Sequence, residues 1–213
     1  VQLIEKTIIP EFWVTLILLL LLSLVFLLKV LNANLLKQHF LTLFKVPFVD
    51  FESEENVGFF DTYKAVLFLF SVINYALFFS FLYSYLSDNV IISFPTFSGV
   101  LGFVILYFSI KWFLEYLFTV LFSIKKQTET FMVSKWYYLF SISFFIYISI
   151  IIKVYLKFNF AYVLYFIISL FAFRFLFILI SNKKLIFNKL FYFILYLCAF
   201  EIAPLFILFK LMF

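Results

Sequence analysis

The sequence predicts an all-α fold: a polytopic transmembrane helical bundle of about six spans, with one amphipathic interfacial helix in the first connection. Three observations predict it. Four runs each join about 17–25 mostly apolar residues, and two more qualify if one buried charge is admitted. The chain is 67% hydrophobic and only 13% charged, with a mean hydropathy of +1.20, more apolar surface than one soluble core of 213 residues could hide. Gly and Pro number 3 and 4, which favours long regular helices over loops. Lipid offers the backbone no water, so each run closes its own hydrogen bonds as a helix.

The spans fall at about residues 12–31, 65–86, 97–124, 135–156, 159–180 and 188–211, within a single transmembrane domain over 1–213. The first has a Leu-rich centre free of charge and reads as an uncleaved signal anchor, because no small-residue cleavage site follows it. The 38 Phe residues point to a genome rich in A and T codons before any Phe-specific function. The net charge of +5 comes from Lys residues distributed among the loops. Ten of them, Lys29, Lys37, Lys45, Lys64, Lys125, Lys126, Lys135, Lys183, Lys184 and Lys189, flank the odd connections; four, Lys6, Lys153, Lys157 and Lys210, lie on the other side. The positive-inside rule then puts the odd connections in the cytoplasm and both termini on the outer side. The tight fourth connection runs against the rule, with Lys153 and Lys157 on the outer side.

The first connection, 32–64, is the long one. Leu36, Phe40, Leu43 and Phe44 share a helical face while Lys37, Gln38, Thr42 and Lys45 lie elsewhere, which suits a helix on the inner lipid surface ending at Pro47. The second half is acidic. Asp50, Glu52, Glu54, Glu55 and Asp61 read as a solvated loop or as a strip for docking a partner.

Charges within the spans are costly, by about 2.5–3.5 kcal/mol at mid-membrane for Arg, Lys or Asp, so they have to face the bundle interior, a wet cavity or one another. Four stand out: Lys111 and Glu115 in the third span, Arg174 in the fifth and Glu201 in the sixth. Counting rise along the helices puts Lys111 and Glu201 each about 18–20 Å from the inner side, with Arg174 and Glu115 at about 9 and 12–14 Å. Those depths suggest the pairs Lys111–Glu201 and Arg174–Glu115, with Asn74 joining from mid-span two. The quartet sums to zero charge. Two readings stay open: pins for helix register, or a functional site, either an ion or proton relay or a polar substrate pocket. Pro204 follows Glu201 by three residues and predicts a kink beside it.

Ser98, Gly99 and Gly102 form a small-residue patch that predicts close helix contact. Trp13, Tyr63, Tyr83, Tyr85, Trp136, Tyr137 and Tyr155 fall near span ends and read as interface anchors, whereas mid-span Trp112 should pack in the bundle or face lipid. The single His39 and the single Cys198 exclude most His- or Cys-built metal sites. There is no P-loop, dinucleotide fingerprint, HExxH or nucleophile elbow. The expectation is therefore no catalytic residue, cofactor, metal or nucleic-acid partner.

The last span reads Tyr196-Leu197-Cys198-Ala199-Phe200-Glu201-Ile202-Ala203-Pro204, with Lys210 shortly after, and the opening has Trp13 and Thr15 ahead of a Leu-rich span. The chain thereby resembles an uncharacterised family of Bacteroidota inner-membrane proteins, a domain of unknown function. The resemblance would cover nearly the whole chain, with little missing at either end, and it directs attention to Glu201 and Pro204. It implies location and fold more than activity. The expected role is a non-enzymatic membrane component that binds lipids and other integral membrane proteins, such as an accessory or scaffold subunit for protein export or envelope biogenesis, with homo-oligomers left open. The alternative is a small ion- or proton-coupled transporter.

Overall fold

The computed structural model describes residues 12–41, 62–87, 93–122 and 125–181; the side chains of 41, 114–122, 125–135, 137 and 174–181 lie outside that description. Within it all regular structure is helical: α1 (Phe12–Leu31), α2 (Ala33–Leu41), α3 (Thr62–Leu86), α4 (Phe94–Phe122), α5 (Lys125–Tyr155) and α6 (Phe160–Ser181). Four helical stretches are long and apolar enough to cross a membrane: Phe12–Leu31, Thr62–Leu86, Phe94–Phe113 and Tyr138–Tyr155. In α6 the described apolar stretch is the shorter Phe160–Phe173. The expected run at 188–211 lies outside the described residues.

Helix ends follow local chemistry. Asn32 closes α1 and opens α2: its amide donates to the Leu28 carbonyl at 3.0 Å, and its side-chain oxygen accepts from the amides of Asn34 and Leu35, both at 3.1 Å. Ahead of α4 the Ser93 amide donates to Thr96 Oγ1 at 3.0 Å, the half of a capping box that Glu usually supplies, and Pro95 sits in the first turn where its missing donor costs nothing. This cap moves the start of α4 ahead of the expected 97. The α5–α6 hairpin turns on Lys157, whose φ of 52° is left-handed, and Asn159 caps α6 through a 3.1 Å bond from the Ala161 amide. α5 begins at Lys125, well before the expected 135, because 125–135 is rich in helix-forming Lys, Gln, Glu and Met that a hydropathy window does not register.

α3 is the central post. Residues 74–78 are buried in succession, so the helix is covered all round, and α1, α4 and α5 pack against it. Aromatic rings fill the contacts. Phe70 stacks on Phe144 at 5.0 Å and meets Tyr147 edge-on at 5.8 Å. Phe108 of α4 lies 5.8 Å from Phe68, 6.0 Å from Tyr75 and 5.9 Å from Trp136. Phe160 at the head of α6 closes on Phe78, Phe81 and Tyr85. Such ring pairs add about 0.5–1.5 kcal/mol each beyond plain area burial, which matters where lipid tails are as apolar as the core. Contacts also give direction: Trp13 meets Phe94 and Phe97, so α1 and α4 start at the same end as the α5–α6 hairpin, and neighbouring spans alternate.

α2 docks on the other end of the bundle. The expected stripe is only half right. Leu36 is half-buried and Phe40 stacks on Phe145 at 5.0 Å, but the most buried α2 side chain is His39, at 4% exposure. The helix lies against α5 and α1, so its inward face is defined by protein and not by lipid. Leu43, Phe44 and Pro47 lie outside the described residues.

Candidate functional site

Polar groups inside the bundle concentrate where α3 faces α5. Asn74 is at the midpoint of α3 and fully buried, and its side-chain amide donates to the Ser143 carbonyl of α5. One turn earlier Ser71 Oγ lies 3.0 Å from Ser143 Oγ. Each serine also has a carbonyl on its own helix to donate to, Leu67 at 2.9 Å for Ser71 and Phe140 at 2.6 Å for Ser143. Two hydroxyl protons serve three contacts, so one hydroxyl at a time bridges the helices while the other turns back. Tyr75 donates to the Leu139 carbonyl at 2.9 Å. On another side of α5, Tyr147 donates to the Leu18 carbonyl of α1 at 3.1 Å. These bonds use second lone pairs of helical carbonyls, which leaves the helices intact while locking their register.

On α3 and α5, the buried polar atoms Asn74 Oδ1, Tyr138 OH and Ser141 Oγ have no hydrogen-bond partner among the described residues. An unmatched buried group costs about 1–3 kcal/mol. Each could take one more hydrogen bond, Asn74 Oδ1 as an acceptor and the two hydroxyls as donor or acceptor.

Lys111 on α4 is a further buried polar residue. It is 4% exposed, and its Nζ lies 5.6 Å from the centroid of the Tyr107 ring, within reach of a cation–π attraction. It follows Phe108 by one turn, toward the α2 end, whereas Asn74 lies at the middle of α3. At that same end His39 stacks on Tyr63 at 5.8 Å and meets Phe140 edge-on at 6.5 Å. Burial first, then the Lys64 ammonium, push the His39 imidazole down to about 4, so it is neutral near pH 7.

Of the residues singled out from the sequence, Lys111 and Asn74 are both described and both buried. Asn74 is joined to α5 through Ser143. Glu115 and Arg174 belong to α4 and α6, but their side chains lie outside the described residues, as do Glu201, Pro204 and the strip Asp50, Glu52, Glu54, Glu55 and Asp61 altogether. Other expectations need correction. Among the described residues the Ser98–Gly99–Gly102 patch makes no close helix contact: a Cβ added at either glycine would meet none of them within 4 Å. α4 turns Phe97, Val100, Val104 and Phe108 inward instead, which rotates the small residues out. Tyr63 is buried and half-buried Trp136 packs on Phe108 and Phe140, so both rings spend much of their surface on protein. Trp112 is 53% exposed and takes the outward choice. Ser71, Ser143, Tyr75 and Tyr147 were not anticipated. Their signal was small polar residues and phenols inside apolar runs, where each hydroxyl has to find a partner.

Four membrane-length apolar helices around a polar seam define a helical membrane protein in which buried hydroxyl and amide groups tie the spans together. The chain belongs to the family described as Domain of unknown function (DUF4271), whose model matches residues 14–212. Comparison with curated proteins and with solved structures gave no match.

Proposed function

We propose that this chain is a non-enzymatic integral component of the inner membrane of a Bacteroidota cell, acting as an accessory or scaffold subunit of a larger assembly in protein export or envelope biogenesis. The observation that carries the reading is how the seam uses its polar groups. Asn74, Tyr75 and Tyr147 each donate to a backbone carbonyl of a neighbouring helix, which fixes helix positions. Outside the seam, α1 and α4 present wide apolar faces, and on α4 the exposed Gly99 and Gly102 would let another helix approach its backbone closely. The acidic strip between Asp50 and Asp61 offers a contact for a basic cytoplasmic partner. Both termini are periplasmic in this reading, from the basic-residue asymmetry. The test is a gentle-detergent pull-down of the full chain from its native membrane. A reproducible set of co-purifying membrane proteins supports the reading; a chain that always emerges alone rejects it.

Buried Lys111 favours a second reading, a small ion- or proton-coupled transporter using Lys111, Asn74, Glu115, Arg174 and Glu201. Substitution Glu201→Gln separates the two. Lost assembly with unchanged ion flux rejects the transporter, and intact assembly with lost flux rejects the scaffold.

A further inference from the structure

A groove of about 400 Å³ runs between the first turns of α1 and the last turns of α5. Leu16, Leu19 and Leu22 form one wall and Tyr147, Ile151 and Tyr155 the other, with Phe12 and Thr15 at the mouth. Two of its three hydroxyls face away from a guest in chemical terms, and the third, on Tyr155, belongs to the mouth end. Thr15 donates to the Phe12 carbonyl at 2.7 Å and Tyr147 to the Leu18 carbonyl at 3.1 Å. What remains is hydrocarbon wall, open on the side where Leu19 is 66% exposed. From Phe12 to Leu22 the helix rises about 15 Å, which is half of a hydrocarbon core about 30 Å thick. The groove is therefore one leaflet deep.

Size selects the occupant. A helix about 10 Å across and as long as the groove would need on the order of 1,200 Å³. An extended hydrocarbon chain, roughly half as wide, needs about a quarter of that, which the groove supplies. Charge selects the head. Exposed Lys157 follows Tyr155 by two residues at the mouth end, whereas Lys153 is already engaged, with its Nζ 3.5 Å from the centroid of the Phe81 ring. We propose that this groove holds one acyl chain of a phospholipid, with the phosphate at the membrane surface beside Lys157 and Tyr155.

The test is native mass spectrometry of the full chain released from detergent micelles with added dioleoyl phosphatidylglycerol. The wild type should retain one lipid at collision energies that strip the rest. Leu19→Trp, which fills the groove from an exposed position, should lower that retained fraction about tenfold, and Ile151→Trp on the opposite wall should do the same. Leu106→Trp, on the exposed face of α4, should leave it unchanged. Lys157→Gln should lower retention of the phospholipid about threefold but not that of dioleoylglycerol, which lacks the phosphate. Equal retention by wild type and Leu19→Trp would overturn the proposal, as would equal loss with Leu106→Trp. A Leu19→Cys variant supplies the remaining arm. Oxidative cross-linking of position 19 to Cys198, or to position 19 of a second copy, would show a protein occupant and overturn it.

Discussion

Replacing Asn74 by Leu should leave the protein as stable as before or up to about 1 kcal/mol more stable. Asn74 contributes one bond between helices, worth about 0.6 kcal/mol on average and 1.7 at most in a membrane protein. Against this stands its buried Oδ1, which has no partner among the described residues and costs about 1–3 kcal/mol. Leucine has the same branching and heavy-atom count, loses the bond and removes the unmatched oxygen, and its two bulkier methyls trim the gain to within about 1 kcal/mol. The Ser143 carbonyl keeps its bond within α5, so no new orphan forms. Alanine relieves the same oxygen but opens a cavity of about 50 Å³, which at about 24 cal/mol per Å³ costs roughly 1.2 kcal/mol relative to leucine. Aspartate brings two carboxyl oxygens to a place with one acceptor partner and costs several kcal/mol, on the order of a broken buried network. The expected order is Leu at or above wild type, then Ala, then Asp. Reversible unfolding in mixed micelles, followed by far-ultraviolet circular dichroism, reads it directly. A loss above about 2 kcal/mol for Asn74→Leu would refute the reasoning, because it would mean that Oδ1 is bonded in the working protein.

Tyr147→Phe removes the tie to the Leu18 carbonyl without changing shape, and the same unfolding assay should show a loss of about 0.6–1.7 kcal/mol. Lys157→Gly, at a left-handed φ of 52°, should stabilise the hairpin by about 0.5–1 kcal/mol, read as a raised melting temperature. Gly102→Ala meets no neighbour within 4 Å among the described residues and should be neutral or stabilising by up to about 1 kcal/mol; a loss of stability would mean that this face is packed. His39 is held neutral, down to about 4 from 6.5, so the undocked state takes the proton first. Docking of α2 is therefore complete above about pH 6.5 and weakens as pH falls toward 4, by up to about 3 kcal/mol. Amide exchange over 33–41, corrected for the intrinsic rate, should rise across that window in wild type and stay flat in His39→Phe.

Class, and the course of the five expected spans that fall among the described residues, were legible because the bilayer imposes one solution on an apolar run of span length, whatever its neighbours do. The burial of Lys111 and Asn74 was legible for the same reason, since neither side chain has a cheap place in lipid. Rotation about each helix axis was not. α4 has Phe, Val, Ile and Leu on every side, so its inward face is chosen by fit against Phe68, Tyr75 and Trp136, and that choice sent Gly99 and Gly102 outward. α2 misled for a related reason. Its apolar stripe suggested lipid, but a ring partner at Tyr63 made the imidazole of His39 the better group to bury. The α3–α5 seam hid in residues that look unremarkable one at a time. Ser71 and Ser143 acquire meaning only when two helices bring them to 3.0 Å.

The bond from Asn74 to Ser143 joins residues 69 apart in the chain. At a synthesis rate of about 5–20 residues per second, the acceptor emerges roughly 3–14 s after the donor. During that interval α3 waits in the bilayer with a bare amide at its midpoint. The nascent protein is then most exposed to slipping out of the membrane or to pairing with the wrong polar helix, and the arrival of α5 ends that window.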